Sequence, residues 1–192
     1  MLPKILVFAG SIRPGSHNVR LAALAAKELV LAGADVTRIS LEDFPLPLYD
    51  GHIEAGSGPP ANAAKLKQMI MAHRGVFIAS PEYSASVTPL LKNAIDWVSR
   101  VRDRGGPTYE AFKGRVFAVG SASVGEAGGL RSLMALRQIL ELGCGALVIP
   151  DQLTVARADE AFDEMDNLKD ERAAAQLKRV LQRLTDMARE MA

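Results

Sequence analysis

The feature that most constrains this chain is a series of short apolar runs with no polar alternation inside them. Ile5-Leu6-Val7-Phe8-Ala9, Gly75-Val76-Phe77-Ile78-Ala79, Val116-Phe117-Ala118-Val119 and Ala146-Leu147-Val148-Ile149 all read this way. Strands of this kind are buried on both faces, as parallel strands are. Ala34-Asp35-Val36-Thr37-Arg38-Ile39 alternates instead, which suits an edge strand wet on one side.

Helical stretches separate these runs. The first is expected over Asn18 to Ala32, with Leu21, Leu24, Ala25 and Leu29 on one face and Gly33 just past its end. A second covers Ala61 to Ala72, entered through Pro59-Pro60. A third takes Thr88 as N-cap and Pro89 as first residue and runs to Val101. The fourth spans Leu130 to Leu142 and stops at Gly143. The last is bounded by Asn167 and carries Leu177, Val180, Leu181, Leu184 and Met187. Phe44 to Pro60 and Arg102 to Pro107 read as loops. Strands alternating with helices require crossover connections and helices on both faces of a parallel sheet. The expectation is an α/β chain, a flavodoxin-like doubly wound five-stranded parallel sheet of order 2-1-3-4-5, forming one domain over residues 1–192.

Charge and composition narrow the function. With 23 Lys+Arg against 22 Asp+Glu, the net charge of +1 argues against a protein that holds nucleic acid or another polyanion by charge alone. The only cysteine, Cys144, excludes an intramolecular disulfide and a multi-cysteine zinc framework. No apolar run approaches the roughly 18–20 residues of a membrane span, and Met1-Leu2-Pro3-Lys4 leads straight into a strand-like segment, so a cytoplasmic protein without signal peptide or membrane contact is expected.

The unusual loops follow strands. They are Gly10 to Asn18, Ser80 to Ser84 and Gly120 to Gly125, and in a parallel sheet they meet at the carboxyl edge, where such folds bind ligands. The first is suited to a phosphate. It precedes a helix N-terminus, Ser11, Ser16 and Asn18 offer short polar groups, and Arg13 adds a permanent charge. The plain alternative makes Ser16 a simple N-cap and Arg13 a solvated turn residue. Ser16 and His17 stand where a P-loop needs Lys and Ser/Thr, and G-x-G-x-x-G is absent, so a monophosphate fits better than a triphosphate or dinucleotide.

Gly10-Ser11-Ile12-Arg13 with Ser16 and Asn18, then Pro81-Glu82-Tyr83-Ser84, then Leu91-Lys92-Asn93-Ala94-Ile95-Asp96-Trp97 resemble the NADPH-dependent FMN reductase family, which includes quinone, chromate and azo-dye reductases. The resemblance runs to about Leu147. It implies FMN as cofactor, with its phosphate on Ser11, Arg13, Ser16, Asn18 and the His17 backbone, its ring against Pro81, Glu82, Tyr83 and Ser84, and a further edge on Ser121 and Gly125. It also implies NADPH or NADH as co-substrate, a quinone, free flavin or other small molecule as acceptor, and a homodimer or homotetramer. Many members have Asn where this chain has Ser84. Hydride chemistry on the flavin needs no catalytic side chain and no metal site, and neither is apparent. A flavodoxin-like electron carrier is the competing class; the +1 charge and Arg13 count against it.

Other candidates read as structure. His52 and His73 are isolated, Cys144 suits a small buried side chain, and Met187 and Met191 suit a core stripe. For Asp96-Trp97 both helix packing and a partner contact stay open, and for Gly125 to Gly129 both close ligand approach and a flexible helix entrance.

Overall fold

The computed structural model describes residues 2–102 and 106–191, so the centre of the loop expected at Arg102 to Pro107 lies outside the described residues. The apolar runs form β1 (Lys4–Ala9), β3 (Gly75–Ala79) and β4 (Val116–Ala122), buried at every position after Lys4. β2 (Asp35–Arg38) and β5 (Leu147–Val155) flank them in the all-parallel order β2-β1-β3-β4-β5. The flavodoxin-like expectation holds, with the alternating strand at the edge.

Side chains along each strand leave on alternate faces, so each face receives its own helices. Ile5, Val7, Phe77 and Ala118 pack with Leu21, Leu24 and Leu29 of α1 (His17–Leu31) and Leu177, Val180 and Leu184 of α6 (Glu171–Glu190). Leu6, Phe8, Val76, Ile78 and Phe117 pack with Leu66 and Ile70 of α3 (Ala61–Met71), Leu91, Ile95 and Val98 of α4 (Pro89–Arg100), and Leu133 and Leu136 of α5 (Leu130–Arg137). α5 runs on through a wider π-helical turn over Gln138–Gly143.

Three boundaries differ from the sequence reading. First, the stretch from Phe44 to Pro60 contains a short helix, α2 (Gly51–Ser57), started by the Asp50 carboxylate accepting from the His52 amide at 2.7 Å. That stretch is tied to α4: Asn93 accepts from the Tyr49 amide (2.8 Å), and Trp97 Nε1 donates to the Pro47 carbonyl (2.8 Å). Trp97 has no exposed surface, which decides for helix packing, and burial of so large a ring stabilises by about 3 kcal/mol.

Second, β5 does not end at Ile149 but continues to Val155 through a bulge. Phe117 pairs with Val148 and Val119 with Gln152, so Pro150, which has no N–H, sits in the irregular part. Here Arg137 donates to the Ile149 carbonyl (2.9 Å) and Gln176 to the Gln152 carbonyl (2.6 Å). Third, the last helix starts at Glu171, because Asp170 accepts from the Arg172 and Ala173 amides while Asn167 closes a separate turn on Asp163.

Cys144 is buried, and burial pushes its thiol up to about 11, so it packs as a small apolar group. His73 is also buried, its Nδ1 2.6 Å from the Met69 carbonyl. Met187 and Met191 pack against the core. Among the described residues no helix is long and apolar enough to cross a membrane.

Candidate functional site

The backbone ladders run one residue past the ends of β1 and β3, which brings the loops together. The Gly10 amide donates to the Ala79 carbonyl and the Ser80 amide to the Gly120 carbonyl, both at 2.8 Å. Thr88, read from sequence only as a helix cap, does cap α4 through the Leu91 amide (3.2 Å) and also donates its hydroxyl to the Gly10 carbonyl at 2.6 Å. The start of α4 therefore fixes the start of the first loop.

That loop makes a turn closed by the Ser16 amide on the Arg13 carbonyl (3.1 Å), with Pro14 and Gly15 at its centre and Gly15 at φ +70°. Pro then a left-handed Gly is the type II pattern. Ser11 accepts from the Arg13 amide (3.2 Å), and Ser11 and Ser16 are both buried. Ser16 occupies the N-cap position of α1 but its hydroxyl caps nothing, so the simple-cap alternative is corrected. The first turn of α1 carries no acidic residue either, and its leading amides keep their positive end uncompensated. Arg13 is exposed, and among the described residues its guanidinium donates only to the neighbouring Pro14 carbonyl (3.2 Å) and has no ion pair.

Two positions in this loop differ from a pure ligand set. Asn18 is buried and its side-chain amide is consumed by Ala122, so only its backbone N–H is left to offer. His17 keeps Nδ1 buried with no partner among the described residues. Burial, then the charges of Arg13 and Arg20, hold its pKa below the usual histidine value, with Asp159 opposing.

The second loop is held from α5. Ser132 donates its hydroxyl to the Pro81 carbonyl (2.8 Å). The Glu82 carboxylate accepts from the Arg131 amide (3.1 Å) and the Ser132 amide (3.2 Å) and pairs with the Arg131 guanidinium. Glu82 is thus not an exposed carboxylate: its side chain is 7% exposed and caps a helix it does not belong to. Tyr83 and Ser86 exchange backbone hydrogen bonds (3.0 and 2.9 Å) around Ser84 (φ 48°) and Ala85 (φ 60°). Both central residues are left-handed, as in a type I′ turn, and neither is a glycine. Tyr83 is half exposed beside this turn.

The third loop starts later than expected, since Gly120, Ser121 and Ala122 belong to β4. Ser121 is completely buried, and its Oγ has no partner among the described residues. A side chain at Gly129 (φ +85°) would place Cβ 1.8 Å from that Oγ, so the approach of the loop to Ser121 requires glycine. Gly125 lies exposed beyond, its amide 3.4 Å from the Ser123 hydroxyl.

Three helices therefore start at this edge: α4 is capped by Thr88, and the other two differ. The end of α5 is neutralised by Glu82, whereas that of α1 faces outward with Arg13 beside it, a ready anion site. The family model of the NADPH-dependent FMN reductases matches residues 3–160, which include all three loops. The chain belongs to that family.

Curated relatives match most of the chain. An NAD(P)H-dependent FMN reductase of Pseudomonas aeruginosa is 32% identical over 182 residues, covering 94% of this chain and 92% of the relative. A quinone reductase of Escherichia coli is 36% identical over 138 residues, covering 71% of this chain and 69% of its own. Among solved structures, a flavoenzyme NAD(P)H:(acceptor) oxidoreductase of Paracoccus denitrificans superposes with a TM-score of 0.80 at 26% identity, covering 99% of each chain.

The residues present fit FMN. A phosphate would meet the free α1 amides and Arg13, and the orphaned Ser121 hydroxyl lies at the same edge. Sequence reasoning missed Ser80 and Ser132, whose hydroxyls lie 2.8 Å apart under the second loop, and the side-chain role of Glu82. These contacts link positions about fifty residues apart, and no local pattern marks them.

Proposed function

We propose that the chain is an FMN-dependent NAD(P)H oxidoreductase that passes reducing equivalents from NADPH or NADH to small acceptors, quinones and free flavin foremost. The observation that carries this reading is the uncapped, unpaired N-terminus of α1 with Arg13 beside it. Ser11, Arg13, Ser16 and the backbone amides of His17 and Asn18 hold the phosphate. The Pro81–Ser84 backbone reads the ring edge, Tyr83 covers the ring, and Ser121 and Gly125 approach from the other side. FMN, when bound, supplies the hydride chemistry. This chain's residues bind and orient it and keep one face open for nicotinamide. The names of the FMN reductase and quinone reductase relatives support the choice of donor and acceptor.

The same reading takes residues 1–192 as one working unit that assembles as a homodimer or homotetramer. Exposed Ile12, Tyr83, Val124 and Leu130 ring the site, and a second copy would cover them. Light scattering should give a mass of at least twice the 20.6 kDa chain at micromolar concentration; a monomer mass overturns the assembly. Activity is tested by mixing the FMN-loaded protein anaerobically with NADPH or NADH, then adding a small quinone. Rapid bleaching and many turnovers are expected. Flavin that stays oxidised with both nucleotides would make the protein a carrier.

A further inference from the structure

We infer that the Glu82 side chain is a positioning group: its carboxylate sets the flavin-ring loop through the N-terminus of α5 rather than by touching the flavin; this rests on the flavin reading above. Four contacts converge on one helix end. The Arg131 and Ser132 amides take the Glu82 carboxylate, the Arg131 guanidinium pairs with it, and the Ser132 hydroxyl takes the Pro81 carbonyl. Ser132 thereby grips two consecutive residues of the loop, one through its backbone and one through its side chain, and is itself fully buried. Glu82 and Pro81 cannot shift independently of α5.

The loop needs that grip. Immediately after Glu82 the chain enters a turn whose two central residues, Ser84 and Ala85, are both left-handed without being glycine. Such a turn persists only when its surroundings over-determine it. On its strand side the loop is fixed by the Ser80 amide on Gly120, and on its helix side by Thr88 on Gly10. Between these anchors Val87 packs into the core, and the hydrogen bonds that leave the loop among the described residues all go to α5.

The same helix end also carries the opposite wall. Gly128 and Gly129 lead directly into Leu130, and Gly129 lies against Ser121. A carboxylate at position 82 therefore fixes the distance between the Pro81–Ser84 edge and the Ser121–Gly125 edge, the two sides between which a ring would lie. A helix N-terminus attracts an anion, and here the protein supplies its own. It spends the dipole of α5 on geometry and leaves that of α1 for the ligand.

The test titrates apoprotein with FMN and with riboflavin, following flavin fluorescence and the visible circular dichroism of the bound ring. Glu82→Ala should weaken both flavins by about tenfold, the scale of one lost charge-assisted hydrogen bond, leave the FMN-to-riboflavin ratio unchanged, and alter the visible dichroism. Glu82→Gln keeps an acceptor oxygen for the α5 amides and should restore affinity to within about threefold of wild type. Glu82→Asp keeps the charge but falls a methylene short of the amides; it should behave as Glu82→Ala and serves if the alanine variant does not fold. Wild-type affinity and dichroism in both Glu82→Ala and Glu82→Asp would overturn the inference, as would a loss confined to FMN. A wild-type protein that binds neither flavin overturns the functional reading with it, whereas wild-type binding of both with unchanged variants overturns this inference alone.

Discussion

Asn18 and Ala122, 104 residues apart, are joined by two hydrogen bonds: Asn18 Nδ2 donates to the Ala122 carbonyl at 2.7 Å, and the Ala122 amide donates to Asn18 Oδ1 at 3.0 Å. The side chain behaves as a short piece of strand that docks the first turn of α1 on the end of β4. Asn18→Ala would leave a buried N–H and a buried C=O without partners, at a cost of about 3 kcal/mol in all. For a domain of this size that lowers Tm by roughly 6–12 °C. Asn18→Asp should be at least as damaging, because a carboxylate oxygen would face the Ala122 carbonyl. A melting curve within about 2 °C of wild type for both variants would show that the bridge does not hold the loop.

The phosphate end is tested at Arg13. A charge-assisted hydrogen bond is worth about 1.5–3 kcal/mol, so Arg13→Ala should weaken FMN by roughly 10–150-fold. Riboflavin, which lacks the phosphate, should bind as before. Parallel titrations with the two flavins measure this, and equal losses would remove Arg13 from the phosphate site.

The left-handed pair at Ser84 and Ala85 makes a stability prediction of the opposite sign. Ala85 at φ 60° carries a steric cost that glycine does not, of about 1 kcal/mol. Ala85→Gly should raise Tm by roughly 2–4 °C despite the added freedom of the unfolded chain. Ser84→Asn, the residue many family members carry there, should raise it by a smaller amount, because Asn tolerates this region. Differential scanning calorimetry of the apoprotein checks both, and a fall in Tm for Ala85→Gly would mean that the turn is not strained.

The turn also shows where the sequence was legible and where it was not. β1, β3 and β4 could be read because burial on both faces leaves a run of apolar residues that nothing else requires. The three loops could be read because glycine, serine and proline clusters follow those runs. The last apolar run stops at Ile149, and the strand goes on past it because a bulge absorbs Pro150, which lacks the donor a ladder needs, and β5 continues to Val155. α2 was hidden in a segment rich in proline and glycine, its cap Asp50 having no apolar stripe behind it. The place of Glu82 in the second loop could be read locally, but its partners Arg131 and Ser132 are fixed by tertiary contact alone.

His17 gives a pH signature. Burial and the nearby charges of Arg13 and Arg20 lower its pKa below 6.5, so the unfolded chain takes up the proton before the folded one does. Its contribution to stability is therefore complete above pH 6.5 and is lost as the pH falls below it. His17→Gln should flatten the acid side of the apoprotein's stability profile over that range. A bound phosphate dianion beside the ring acts in the opposite direction, so NMR titration should find the His17 pKa raised on adding FMN. A histidine that titrates identically with and without FMN would place the phosphate elsewhere.

The outer strand β5 carries a consequence for the molecule in a crowded solution. An unpaired strand edge normally offers a template on which another chain can add, the first step toward aggregation. Here Pro150 removes one donor, the bulge breaks the regular spacing, and Arg137 and Gln176 occupy the carbonyls of Ile149 and Gln152 from two different helices. An incoming strand would find neither an even ladder nor free acceptors at those positions. The β5 margin is thus a terminus of the sheet, where another chain finds no regular place to add a strand.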